Sequence, residues 1–116
     1  RGYGRIVSVL TNLVFNGEVP LHAYTAAKAA LLGFSRSLAR EVGKAGITVN
    51  MVAPGLVAGT GMSAHHTEDS LAEVARRTPL GRNGRPDDVA EAVLYLASAS
   101  FVTGACIVVD GGLTIR

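Results

Sequence analysis

With 116 residues, 48% of them hydrophobic and 17% charged, the chain has the composition of one small folded domain with a modest core, and disorder is excluded. A net charge of +2 on scattered Lys and Arg argues against nucleic acid or an anionic membrane as partner, and the apolar runs are too short and interrupted for a transmembrane helix. A single cysteine cannot form an internal disulfide, and no apolar stretch follows "RGYGRIV" to mark a signal peptide, so the expected compartment is the reducing cytoplasm.

Arg5 to Leu10 ("RIVSVL") is short, β-branched and preceded by glycine, which predicts a buried strand. Thr11 to Leu21 carries Asn, Gly and Pro and reads as a loop. From His22 to Lys44 the spacing predicts the longest helix, with a core stripe of Ala27, Ala30, Leu31, Phe34, Leu38 and Val42. Arg36, Arg40 and Lys44 fall on another, solvated face, and Gly46 supplies the stop.

Ile47 to Ala53 ("ITVNMVA") predicts a second buried strand ended by Pro54-Gly55, followed by a loop over residues 56–66. Thr67 is placed to cap a short helix, with Glu68 and Asp69 complementing its positive end. Pro86 suits the first position of another helix whose stripe is Val89, Ala92, Val93 and Leu96. Cys106 to Val109 is a third strand, its cysteine a core residue, closed by the turn former Asp110-Gly111.

Continuous apolar strands alternating with helices predict an α/β fold with a parallel sheet covered on both faces. Ligands bind such sheets beyond the carboxyl ends of the strands, which directs attention to Thr11 and Pro54-Gly55. A three-stranded sheet beginning almost at residue 1 would expose an apolar edge, and no G-x-G-x-x-G loop follows any strand. The chain therefore reads as the second half of a larger α/β domain.

Within "HAYTAAKAALLGF", Tyr24 and Lys28 are four residues apart and project from one side of the helix. A phenol is a poor acid–base catalyst at neutral pH, and a nearby cation that stabilises phenolate makes it a better one. The adjacent His65 and His66 lack helical ligand spacing and no Cys or carboxylate pattern completes a site, so no metal is expected. His22 opens the helix, where packing or solvent is the expected role and a substrate contact the alternative.

"GRIVSVLT…AYTAAKAALLGFSRSLAREVGKAGITVNMVAPG" resembles the catalytic half of the short-chain dehydrogenase/reductase family. "PLGRNGRPDDVAEAVLYLAS" and "FVTGACIVVDGG" extend the resemblance almost to the C-terminus, with β-ketoacyl-(acyl-carrier-protein) reductases as the nearest branch. It implies a Rossmann-type fold, here as its C-terminal half in residues 1–116 without the cofactor-loop half, and NADP or NAD as cofactor. It implies that Tyr24 gives a proton to a substrate carbonyl, or takes one from an alcohol, while Lys28 holds the nicotinamide ribose and favours the phenolate.

The family serine that bonds the reacting oxygen falls on Thr11, a departure that keeps the hydroxyl, adds a methyl and restricts the rotamer. Ser8, three residues earlier on an extended strand, would face the other side. The resemblance places Pro54 and Gly55 under the nicotinamide, the Val57 backbone at its carboxamide, and Thr60 at a phosphate or the carboxamide, with Gly59 competing for that slot. Asn50 takes a structural role. The family asparagine of the catalytic set and the residue selecting NAD or NADP lie upstream of the matched segment. A small carbonyl or alcohol substrate and a homo-oligomer, assembled partly through the helix of residues 24–44, complete the implied picture. The alternative is a truncated relative that keeps the assembly surfaces without turnover.

Overall fold

The computed structural model describes residues 2–115. Three β-branched runs form strands β1 (Gly4–Val9), β2 (Ile47–Pro54) and β3 (Cys106–Val109), all parallel, in the spatial order β1-β2-β3. The register runs from Gly4↔Ile47 to Val9↔Val52 on one side of β2 and from Met51↔Cys106 to Pro54↔Val109 on the other. Six consecutive residues of β2, Thr48 to Ala53, are buried. Because neighbouring side chains on a strand point to opposite faces, neither face of the central strand is open. That is why its sequence is a continuous run and not an alternation.

Helix α1 (Leu13–Asn16) lies within the stretch expected to be loop. The Leu13 N–H reaches the Thr11 hydroxyl and the Val14 N–H the Thr11 carbonyl, so a hydroxyl turn starts one helical turn despite the nearby Gly and Pro. Helix α2 (His22–Val42) continues into a 3-10 turn at Gly43–Ala45, and Gly46 ends it in the left-handed conformation with φ of 76°.

The expected stripe of α2 needs correction. Its buried residues are Ser35 and Ala39, with Leu31, Leu32, Leu38 and Val42 half-buried, while Ala27, Ala30 and Phe34 are exposed. The helix carries two apolar sides, and the periodicity merged them. Leu31 and Leu32 pack on Leu10, Met51 and Ala53, and small residues at 35 and 39 let α2 approach the sheet closely.

Helix α3 (Glu68–Arg77) is capped by Thr67, whose hydroxyl accepts the Ser70 N–H at 3.1 Å. Helix α4 (Pro86–Ser98) starts at its proline and packs against all three strands, with Leu96 fully buried and Val89, Ala92 and Val93 half-buried. Asp88 accepts the Arg85 N–H at 2.7 Å and a bidentate pair from Arg82 at 2.7 and 2.8 Å, which fixes the entry to α4.

Asn50 is the polar exception in β2. Its amide donates to the Val102 carbonyl at 2.8 Å and accepts the Ala105 N–H at 3.1 Å, so it ties the central strand to the segment leading into β3. Strand β1 has no neighbour on its outer side among the described residues, and its Ile6 and Val9 are exposed. No helix of the described residues is long and apolar enough to cross a membrane.

Candidate active site

The ladder does not stop where the strands do. Leu10 N–H donates to Val52 at 2.7 Å, Asn12 N–H to Pro54 at 2.9 Å, and Gly55 N–H to Val109 at 3.0 Å. The carboxyl ends of the three strands thus form one continuous rim carrying Thr11, Asn12, Pro54, Gly55 and Asp110.

Thr11 is buried on this rim. Its hydroxyl oxygen accepts from the Leu13 N–H at 3.3 Å, which uses a lone pair and leaves the hydroxyl proton available to a further acceptor. Lys28 folds back from α2 onto the same strand end, its Nζ donating to the Val9 carbonyl at 3.0 Å. Since Val9 pairs with Val52 through the flanking peptide groups, its own carbonyl points to the open edge of β1. Val9 and Thr11 are two residues apart, about 7 Å along an extended strand. An ammonium has three protons, so two remain beyond the Val9 bond. Tyr24, one turn earlier on the same side of α2, is half-buried, and its hydroxyl has no hydrogen-bond partner among the described residues.

Pro54 ends β2 and Gly55 follows it into the rim. Glycine is required there by space: a Cβ would stand 2.7 Å from the Asp110 Cβ and 3.2 Å from the Asn12 amide nitrogen. Val57 and Thr60 lie farther along. Val57 bridges Gly84 through the Ala58 N–H and the Leu56 carbonyl, so its own N–H and carbonyl face away from that bridge. The carbonyl takes the Thr60 hydroxyl at 3.3 Å, and the same hydroxyl lies 3.2 Å from Ser63 Oγ. Thr60 therefore spends its side chain on capping the 3-10 turn Gly61–Ser63, whereas the Val57 N–H stays open. Gly59, in the turn that precedes Thr60, adopts φ of 77° and has no neighbour within 4 Å of a would-be Cβ.

Two residues of the rim escape sequence reasoning. Asn12, buried, donates through its amide to Asp110 at 3.1 Å, across 98 positions of sequence. Asp110 also accepts the Gly112 N–H at 3.0 Å, the Thr114 N–H at 3.1 Å and the Thr114 hydroxyl at 2.7 Å. Burial of its carboxyl works against ionisation, but the bonds from Thr114, Asn12 and Gly112 together outweigh it and hold the group below its ordinary value. The available signal was the Asp-Gly pair, which predicts a side-chain-capped turn; nothing local points to Asn12.

The remaining candidates lie apart. The His65 and His66 rings lie 4.3 Å apart at a tilt of 37° and His66 contacts Ser70, and no three His, Cys, Asp or Glu side chains gather as a metal site among the described residues. His22 lines a cleft of about 680 Å³ with Glu18, Val19, Thr25 and Ala29; Tyr24 and Lys28 do not line it. Cys106 is half-buried against the core, and burial pushes its thiol up, with Arg36 acting in the opposite direction.

Comparison with known proteins agrees with the parallel-sheet fold. The family model described as enoyl-(acyl carrier protein) reductase matches residues 1–114. The chain is 44% identical over 113 residues to carbonyl reductase family member 4 of Xenopus laevis, covering 97% of this chain and 46% of that protein. It is 43% identical over 113 residues to the 3-oxoacyl-(acyl-carrier-protein) reductase of Haemophilus influenzae, covering 96% of this chain and 46% of that one. Among solved structures, a gluconate 5-dehydrogenase from Burkholderia cenocepacia in complex with NADP and tartrate superposes with a TM-score of 0.92 at 28% identity. That match covers all of this chain and 47% of the other. The chain spans about half the length of the curated relatives it matches.

Proposed function

The chain belongs to the short-chain dehydrogenase/reductase family, and on that premise we propose that it is the catalytic half of an NAD(P)-dependent oxidoreductase interconverting a carbonyl and a secondary alcohol. One observation carries the proposal. Lys28 and the Thr11 hydroxyl converge on the carboxyl end of β1, with the unpartnered Tyr24 hydroxyl on the same side of α2.

The residues present suit the nicotinamide end of the cofactor. Lys28 has two free N–H donors for ribose hydroxyls, the Val57 N–H is open to a carboxamide, and Gly55 leaves the rim without a side chain. No G-x-G-x-x-G loop is present for the pyrophosphate, so we assign that recognition to an upstream half-domain. When bound, the nicotinamide supplies or accepts the hydride.

The protein's own part is proton handling and positioning. In reduction, the Tyr24 hydroxyl gives its proton to the carbonyl oxygen, and Lys28 stabilises the phenolate left behind. The Thr11 hydroxyl proton, not engaged by the Leu13 bond, donates to the same oxygen as negative charge develops there. The alcohol product then carries one hydrogen from hydride and one from Tyr24, and the reverse reaction returns both.

We further infer a homo-oligomer, supported by the exposed apolar side of α2 (Ala27, Ala30 and Phe34), and a cytoplasmic protein with Cys106 as a free thiol. The test is oxidation of NADPH or NADH by the full-length gene product with acetoacetyl-CoA and a panel of small ketones. Cofactor oxidation that requires a carbonyl supports the proposal. A folded protein that binds cofactor and turns over none of them would support an assembly module instead.

A further inference from the structure

Thr11 is weakly held by its own bond. The Leu13 N–H to Thr11 Oγ1 contact is long at 3.3 Å, and β-branching restricts the rotamer without fixing where the Cα sits. The next residue is held from three sides. The Asn12 N–H donates to Pro54 at 2.9 Å, its carbonyl accepts the Phe15 N–H at 2.9 Å, and its amide donates to Asp110 at 3.1 Å.

The Asp110 bond has a topological meaning. Strands β1 and β3 are not neighbours; β2 lies between them. The Asn12–Asp110 bond therefore passes over the carboxyl end of β2, directly against Gly55, where a Cβ would meet both partners. The carboxylate is itself anchored to its own turn by Gly112 and Thr114. A fixed acceptor on β3 thus sets the position of the peptide that follows the Thr11 hydroxyl on β1.

We propose that Asn12, clasped by Asp110 across the end of β2, is a positioning residue for the Thr11 hydroxyl. This rests on the oxidoreductase reading above. Asn12 touches no reacting atom; it acts through Thr11. Removing its amide leaves Asp110 with the Thr114 and Gly112 donors, so no buried charge is orphaned and the fold is retained.

The experiment is a double-mutant cycle in the full-length gene product, with NADPH and acetoacetyl-CoA as probes. Asn12→Ala should lower kcat by about tenfold to a hundredfold, as expected for a reacting group displaced by about 1 Å, with the KM for NADPH within about threefold. In a Thr11→Val background, where the hydroxyl is gone, adding Asn12→Ala should change kcat by less than about twofold. A purely structural role would give additive losses. Asp110→Asn, which keeps one acceptor oxygen, should follow Asn12→Ala in direction. Cofactor affinity by fluorescence titration and the thermal midpoint should stay near wild type for Asn12→Ala. Full kcat in Asn12→Ala, or losses that add to those of Thr11→Val, would overturn the positioning role. Loss of rate in Tyr24→Phe alongside full rate in Asn12→Ala overturns only this inference. Full rate in Tyr24→Phe overturns the oxidoreductase reading beneath it.

Discussion

Replacing Thr11 separates its hydroxyl from its methyl. Thr11→Val keeps the buried volume and removes the oxygen, and Thr11→Ser keeps the oxygen and removes the methyl. The valine variant strands the Leu13 N–H, whose 3.3 Å bond is at the long end, so its stability cost should be about 0.5–1.5 kcal/mol. The serine variant loses one buried methyl, a cost of about 0.8 kcal/mol. The two variants should therefore unfold at similar denaturant concentrations. Their rates should differ widely. Loss of one donor to a developing oxyanion costs roughly 2.7–4 kcal/mol, about a hundredfold to a thousandfold in kcat, and the serine variant should stay within about tenfold of wild type. The assay is steady-state cofactor oxidation by the full-length protein, with unfolding followed in parallel. Equal rates for the serine and valine variants would show that the hydroxyl is not a donor to the reacting oxygen.

Gly55→Ala should destabilise by about 1–3 kcal/mol in chemical denaturation, because its Cβ would stand 2.7 Å from the Cβ of Asp110, which cannot swing away. Asn50→Ala should cost about 3 kcal/mol by the same measurement, since it leaves the Val102 carbonyl and the Ala105 N–H without their buried partner. Asp110 is held below its ordinary value in the fold, so its contribution is present above the unfolded-state value and is lost as pH falls below about 4. Asp88, held low by its bond to Arg82, acts with the same sign, so Asp110→Asn should flatten only part of the acid limb of a stability–pH curve.

The strands and the two later helices were legible because each has a local cause. Cys106–Val109 is a continuous apolar run bounded by turn chemistry, Thr67 and Pro86 are helix-start residues, and Gly46 is a stop in the left-handed conformation. The four residues of α1 were hidden because a single hydroxyl turn has no periodicity to detect. The inward face of α2 was hidden for the opposite reason. Two apolar sides share one helix, and only tertiary contact shows that Ser35 and Ala39 meet the sheet while Phe34 faces outward.

At the candidate site, the placement of Tyr24 and Lys28 on one side of α2 and of Thr11 just past the end of β1 was legible from spacing. The return of Lys28 to the Val9 carbonyl was not, because it depends on how α2 lies over β1. The Thr60 hydroxyl and the Asn12–Asp110 clasp were also out of reach. One is decided by a local cap, the other by a bond spanning 98 residues.

The most direct test of the central claim is the turnover of Tyr24→Phe in the full-length protein, measured beside its cofactor affinity and thermal midpoint. The substitution removes one oxygen that makes no hydrogen bond among the described residues, so folding and cofactor binding should be unchanged. Loss of general acid–base catalysis should lower kcat by about a hundredfold to ten-thousandfold. A Tyr24→Phe protein that reduces the carbonyl at the wild-type rate would leave α2 as scaffold and contradict the assignment.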